Sequence, residues 1–443
     1  MAVKGLSKVK SVLKSIIQSV CEQKHAFVKN PKSDFSRERK LPLRKMLEFL
    51  LCIEGRTISN ELLNYFRCSL ETASSSAFVQ QRSKLNSLLF PYIFNTFVQK
   101  TDKNITYKEY RLLAADGSDI HVPTDPTDTD SYFPGTNGQS PYNLQHLDAL
   151  YDILQETYLD AEVAGKKVSS ETSTLCKMVD RSFIQHALLL ADRGYESFNL
   201  MAHIQEKGWK FLIRAKDIHS NGIASALTLP KTATFDISLS LSLTNKQSNE
   251  IKALFKERNT YKFIPKTALF DYLPSSSRKN DMPCFYTILF RVVRLELSEG
   301  KFEVILTNLD AEEFPPLELK KLYAMRWGIE TSFRNLKYTL GLLHFHTKKV
   351  EYIHQEIFAR LIMYNFCRLV TSEISIPDKQ RKCEYKTDFH AAVQICRQFF
   401  LGNISPPVLE AMICRNLSPI RPGRSRVRKQ ISRHAVRSTY RLA

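Results

Sequence analysis

The sequence predicts an α/β protein: a mixed sheet carrying helices on its faces, interrupted by a β-rich insertion and bounded by helical segments at both ends. Three observations predict this. Apolar residues recur at three- and four-residue steps from about Leu41 to Val98; strand-like and helical runs alternate from Tyr110 to Lys216; and between about Asp217 and Asn308 the texture turns β-rich.

Taken in order, LPLRKMLEFLLCIEG, NELLNYF and SAFVQQRSKLNSLLF read as helices. Arg82 and Lys84 fall on the polar side of the last one, which suits either a phosphate contact or a solvated helix face. YRLLAADGS is an apolar strand ending on Asp116, and LQHLDALYDIL with ETYLDAEVAG forms a hairpin. SETSTLCKMVD is a short helix, HALLLAD a continuous apolar strand ending on Asp192, FNLMAHIQEKG a helix and WKFLIRAK a further strand. FDISLSLSLT alternates leucine and isoleucine with serine, the pattern of a half-buried strand, and CFYTILFRVVRLEL with KFEVILTNL makes a hairpin around Ser298, Glu299 and Gly300. SSSRKNDMP, inside this β-rich stretch, is a loop. Beyond Pro315 and Pro316 the chain turns helical again, and no internal repeat is present.

Charge and cysteine usage narrow the function classes. The formal net charge is +19, from 64 Lys and Arg against 45 acids, which points to a polyanionic partner, most commonly nucleic acid. From Arg415 onward there are nine Lys or Arg and no acid, a basic arm. The nine cysteines form no C-x-x-C pair, which argues against a zinc module or a disulfide framework and for a reducing compartment. Lys8, Lys10 and Lys14 interrupt every apolar run of the N-terminus, so no signal-peptide core forms, and no stretch has the length of a membrane span. The expected location is cytoplasmic, with no membrane partner.

The candidate chemistry begins with two carboxylates. ADGS around Asp116 and ADRGY around Asp192 each place an Asp where an apolar strand runs out, followed closely by Gly; either alone is as well explained by a turn or a cap. The helix beyond Pro316 says more. Tyr323, Arg326, Glu330 and Lys337 stand at i, i+3, i+7 and i+14, which at about 100° per residue puts them within roughly 60° of one another. Leu322, Ile329 and Phe333 supply the core face, so the polar stripe looks onto a cleft or onto solvent. Among other acids, Asp119 reads as a turn or surface residue pointing away from Asp116, and Asp310 as a cap. Asp148, Asp152 and Asp160, inside strand-like segments, could face the site, but the usual reading is the solvent side of the hairpin. His344 and His346 lack a third ligand nearby and suit a phosphate or backbone contact better than a metal.

The run Tyr323-x-x-Arg326-x-x-x-Glu330-x-x-x-x-x-x-Lys337 resembles, without a gap, the Tyr-Arg-Glu-Lys signature of insertion-sequence transposases of the DDE class, the branch numbered family four. ADGS, ADRGY, FLIRAK and LGLLHFHTKKVEYIHQEIFARLIMYNF also look like that family, over roughly Tyr110 to Leu369.

The resemblance implies a ribonuclease H-like core. The implied organisation is a helical DNA-binding domain over 1–105, core over 106–217, β-rich insertion over 218–308, core with the Glu helix over 309–345, and a helical region with basic tail over 346–443. It implies a DNA transposase, associated with a bacterial nucleoid, that hydrolyses and transfers phosphodiester bonds at inverted repeats. The alternatives are a nuclease or resolvase that cuts without joining, and an idle DNA-binding relative. It further implies two Mg²⁺ ions, replaceable by Mn²⁺, with Asp116 bridging both and Asp192 and Glu330 each completing one. Such a pair activates the attacking oxygen and stabilises the leaving one. Tyr323, Arg326 and Lys337 are implied to contact phosphates near the transposon end, and Arg326 and Lys337 to hold a flipped nucleotide. Trp327 is a candidate stacking surface for the flipped base or a core tryptophan. Partners are double-stranded DNA at transposon ends and target, and a second copy of the chain in the synaptic complex.

Overall fold

A computed structural model describes residues 2–37, 39–136, 138–274, 284–376 and 383–420. The loop over 275–283 and the basic tail from 421 lie outside the described residues.

Five helices open the chain: α1 (Ala2–Glu22), α2 (Leu43–Cys52), α3 (Ile58–Tyr65), α4 (Ser75–Arg82) and α5 (Leu89–Thr101). The first was not singled out as a helix by the sequence reading. Its Leu6, Val9, Leu13, Ile16, Ile17 and Val20 form one buried stripe, and the lysines that interrupt its apolar runs lie off that stripe.

The strands β1 (Arg111–Val122), β2 (Tyr132–Phe133), β3 (Tyr142–Asp152) and β4 (Thr157–Gly165) are followed by α6 (Glu171–Arg181), β5 (Ala187–Ala191), α7 (Phe198–Glu206) and β6 (Lys210–Ala215). β3 lies antiparallel between β1 and β4, while β5 and β6 continue from the other side of β1 in parallel. The spatial order β4-β3-β1-β5-β6, with three antiparallel strands and then a parallel set, fits a ribonuclease H-like core.

The β-rich stretch does not form a separate sheet. β7 (Phe235–Thr244), α8 (Asn249–Leu254), β8 (Tyr261–Phe263), β9 (Tyr286–Ser298) and β10 (Lys301–Thr307) follow in sequence. β10 pairs antiparallel with β6, and β9, β7 and β8 extend the sheet outward to ten strands.

Then come α9 (Pro316–Met325), α10 (Trp327–Arg334), α11 (Val350–Ser372), a two-stranded sheet of β11 (Tyr385–Thr387) and β12 (Leu417–Pro419), and between them α12 (Phe389–Leu401) and α13 (Pro406–Arg415). α11 is buried on nearly every side, as its apolar run ARLIMYNFCRLV requires. One continuous core joins it to α1, α2, α5 and α12. A smaller cluster, Leu112, Leu188, Leu190, Leu212 and Ile305 with Leu319 and Leu322, packs α9 on one face of the sheet. Among the described residues, no helix is long and apolar enough to cross a membrane.

Three expectations are corrected here. β1 does not end at Asp116; its ladder with β3 runs on to Val122, because backbone pairing continues through the polar run Asp116–Asp119 without needing apolar side chains. Arg82 is not on a DNA-facing surface. It is 2 % exposed and donates to Gln355 Oε1, Glu356 Oε1 and the Tyr352 carbonyl, pinning α4 to α11. Asp148 and Asp152 are buried rather than on a solvent side, and Asp152 takes the Arg111 guanidinium; Asp160 is paired with Arg181.

Candidate active site

Parallel pairing brings the two aspartates together. β1 and β5 are in register with Ala114 opposite Leu190, so two residues further along each strand Asp116 comes beside Asp192. Asp192 begins a tight turn after β5, and its Oδ1 accepts from the Gly194 N–H at 2.7 Å. Asp116 Oδ1 accepts likewise from the Gly117 N–H at 3.0 Å. By strand alternation Asp116 shares the face of Leu112, on which α9 packs.

The helix expected beyond Pro316 is not one regular α-helix. Around Arg326 the hydrogen bonds tighten to three residues, Arg326 N–H to Tyr323 O and Ile329 N–H to Arg326 O, ending α9 and starting α10. From Asn335 to Thr339 they loosen into a π-turn. The stripe of side chains nevertheless reaches the sheet. Arg326, 5 % exposed, donates from Nη2 to Glu330 Oε1 at 2.7 Å and holds Nη1 3.8 Å from Asp116 Oδ2. Lys337 donates to the Asp119 backbone carbonyl at 2.8 Å. Tyr323 is buried beside Arg326, with the guanidinium 5.6 Å from its ring. Trp327 is not a core residue: it is 46 % exposed, with Arg326 5.5 Å from its ring.

Burial pushes the Asp116 carboxyl up to about 6; Arg326 and the Gly117 N–H oppose the rise, while Asp192 and Glu330 add to it. Burial likewise lowers the Lys337 ammonium, against the pull of Asp119 and Asp116. The carboxylates outnumber the cation that bridges them. Among the described residues, no three His, Cys, Asp or Glu side chains are placed closely enough to hold a metal ion as they stand. The donor chemistry still fits a hard divalent cation: all three groups are carboxylates, and the half-buried, crowded Asp116 is a carboxylate whose ionised form a cation would favour.

A cavity of about 470 Å³ adjoins Asp192 and is lined by Arg193, Arg214, Lys216 and Phe302; Arg294 lies 4.4 Å from the Phe302 ring. The sequence reading missed these residues. Arg193 follows Asp192 directly, and Arg214 and Lys216 stand two apart at the end of β6, so a same-face cation pair was visible; Phe302 comes from the far strand β10 and was not. The remaining acids are placed plainly. Asp310 caps the turn after β10, accepting from Glu312 and Glu313 N–H, and His346 contacts the Arg56 carbonyl and Glu356. Asp119 does point away from Asp116, but it is ion-paired with His146 and Lys166 rather than idle on the surface.

The family model for the transposase DDE domain matches residues 107–366, more than half of the chain. The chain belongs to the DDE transposase family. It is similar to the transposase InsG for insertion sequence element IS4 of Escherichia coli (strain K12), 25% identical over 346 residues, or 75% of this chain and 70% of that protein, which agrees with the IS4 branch. Among solved structures, the cryo-EM structure of the piggyBac transposase synaptic complex with hairpin DNA compares at a TM-score of 0.46 and 10% identity, covering 94% of this chain and 84% of that chain. This DDE transposase is thus a DNA transposase enzyme of a family that depends on divalent metal ions and binds DNA.

Proposed function

We propose that Asp116, Asp192 and Glu330 are the catalytic acids of this transposase and hold its divalent ions, with Mg²⁺ as the working metal and Mn²⁺ as a substitute. When bound, the ions supply Lewis acidity to the attacking and leaving oxygens of the phosphodiester. The observation that carries the reading is that one guanidinium, Arg326, reaches both Glu330 and the distant Asp116, while the β1–β5 register brings Asp192 beside Asp116. With Glu330 serving as a metal ligand, the Arg326 guanidinium that now pairs with it would be available to a phosphate. Lys337, half-buried with its ammonium against β1, adds a second cation for the DNA backbone, and Tyr323 and Trp327 complete the DNA-facing stripe.

The cavity beside Asp192 has cations for a phosphate and, in Phe302, an aromatic ring for a base, which suits a nucleotide flipped out during hairpin formation. The N-terminal helices over 1–105 serve end binding. A groove of about 570 Å³ there is lined by Arg39, Lys40, Ser74 and Gln80 beside α4. A homodimer is the synaptic unit, joining 3′-hydroxyls to target DNA in a cut-and-paste cycle.

The test uses labelled terminal repeats with Mg²⁺. Wild type is expected to yield cleaved and joined products, and Ala at 116, 192 or 330 neither, while end binding persists. Cleavage retained in any of the three variants refutes the site; cleavage without joining by the wild type refutes strand transfer.

A further inference from the structure

On the face of β1 opposite Asp116 stands a second charged cluster. His146, on β3 and directly paired with Asp119, is 2 % exposed. Its Nδ1 lies 2.5 Å from Asp119 Oδ1, and its Nε2 lies 3.2 Å from both Asp148 Oδ1 and Glu171 Oε1. The Nε2 contacts are ion pairs set off-line for hydrogen bonding. Lys166 joins the cluster at 3.0 Å from Asp119 Oδ1 and 3.6 Å from Glu171 Oε1. Three carboxylates therefore surround one ammonium and one imidazole. Against burial, the Nδ1 hydrogen bond to Asp119 and the charge of the three carboxylates raise His146 to about 11.

This cluster lies directly beneath Gly117 on β1 and close to the turn at Gly194. A Cβ added at Gly117 would meet His146 Nε2 at 2.5 Å and the Glu171 carboxyl carbon at 3.2 Å; one added at Gly194 would meet Glu171 Oε2 at 3.8 Å. Gly117 and Gly194 are the residues whose N–H groups hold Asp116 Oδ1 and Asp192 Oδ1. His146 and Glu171 thus back the Gly117 peptide closely, Glu171 also approaches Gly194, and Gly117 is required by the close approach of the ring.

We propose that His146, acting with Glu171, is a positioning residue for the transposition chemistry: from behind β1 it fixes the Gly117 and Gly194 peptides, and through them the carboxylates of Asp116 and Asp192. The inference rests on the assignment of those aspartates as metal ligands. Outer partners of metal-binding carboxylates change metal affinity or activity by about 10- to 100-fold when removed.

The experiment measures Mn²⁺ binding calorimetrically on full-length H146Q, E171Q, D116A and wild type, alongside metal-free end binding and thermal melting. H146Q is expected to weaken Mn²⁺ binding by about 10-fold or more, and E171Q, at a site 37 % exposed where folding is secure, by a smaller factor; end binding stays at the wild-type level in both. Wild-type Mn²⁺ affinity in E171Q, or in a folded H146Q, overturns the proposal. So does a loss that appears only together with lost end binding and lowered melting, which is a structural role. If D116A also binds Mn²⁺ normally, the active-site reading itself fails; if D116A loses the ion and the other two keep it, only this inference does.

Discussion

Two carboxylates, the half-buried Asp116 and the fully buried Glu356, sit beside arginines in this molecule and are shifted in opposite directions. Glu356, fully buried, receives Arg82 Nη1 at 2.8 Å, His346 Nδ1 at 3.1 Å and Arg360 Nη1 at 3.2 Å. Although burial works against ionisation, Arg82, the hydrogen bond from His346 and Arg360 hold its carboxyl far below the usual range. Asp116 has one guanidinium at 3.8 Å and two further acids in reach, and burial raises it to about 6. The difference lies in charge balance, not burial. Glu356 is complete within the chain and ties α4, the segment before α11 and α11 itself together; the Asp116 site is left short of positive charge, which suits a group that takes up a cation.

The comparison breaks most sharply in catalysis. D116A, D192A and E330A are each expected to reduce Mg²⁺-dependent end cleavage by about 10³-fold or more with end binding preserved, read by single-turnover gel assays. Glu356→Ala should do the reverse, costing about 3–5 kcal/mol of stability by leaving Arg82 and Arg360 unpaired, so that cleavage and end binding fall together; chemical denaturation measures it. A Glu356 variant of wild-type stability would remove the contrast.

Lys337→Gln is expected to slow end processing by about 10-fold while leaving affinity for unrelated duplex nearly unchanged, because it removes one cation at the site and not the protein's general basic character. Equal losses in both assays would place Lys337 in non-specific binding.

The pH dependence sharpens the contrast further. The folded carboxyl of Asp116 lies above its ordinary value, so its ionised form opposes folding: the associated stability is full below pH 3.8 and is lost as pH rises through about 6. Metal binding requires the ionised form, so the half-saturating Mg²⁺ concentration should rise as pH falls through about 6. The smallest effect expected is on melting: without metal at pH 7.5, Asp116→Asn should raise the melting temperature by about 1–4 °C, through relief of a buried like-charge cluster. An unchanged or lowered melting temperature would show that Arg326 already balances the site.

Much of the core was legible because its elements are local. Strand alternation in FDISLSLSLT, the apolar run HALLLAD and the hairpin at Ser298–Gly300 each depend on neighbouring residues, and the structure has them. Glu330 was legible through Arg326, four residues before it, and the 2.7 Å ion pair between them agrees with that spacing. The rest depends on distant pairing. The Ala114–Leu190 register that brings Asp116 beside Asp192 is written in neither strand alone, and neither is the junction of β10 with β6 that extends the core sheet. Asp148 and Asp152 looked solvent-facing because carboxylates in a hairpin usually are; their partners His146 and Arg111 reveal the burial only in three dimensions. The break at Arg326 was hidden because its backbone stays helical and only the hydrogen-bond span changes.

The central claim, that Asp116, Asp192 and Glu330 form one metal-binding site, is tested most directly by loading the full-length protein with Fe²⁺ on terminal-repeat DNA and mapping the backbone cuts made by locally generated hydroxyl radicals. The account predicts cuts clustered near residues 116, 192 and 330, all suppressed by excess Mg²⁺. Cuts at only one of the three segments, or a pattern that Mg²⁺ does not suppress, would contradict it.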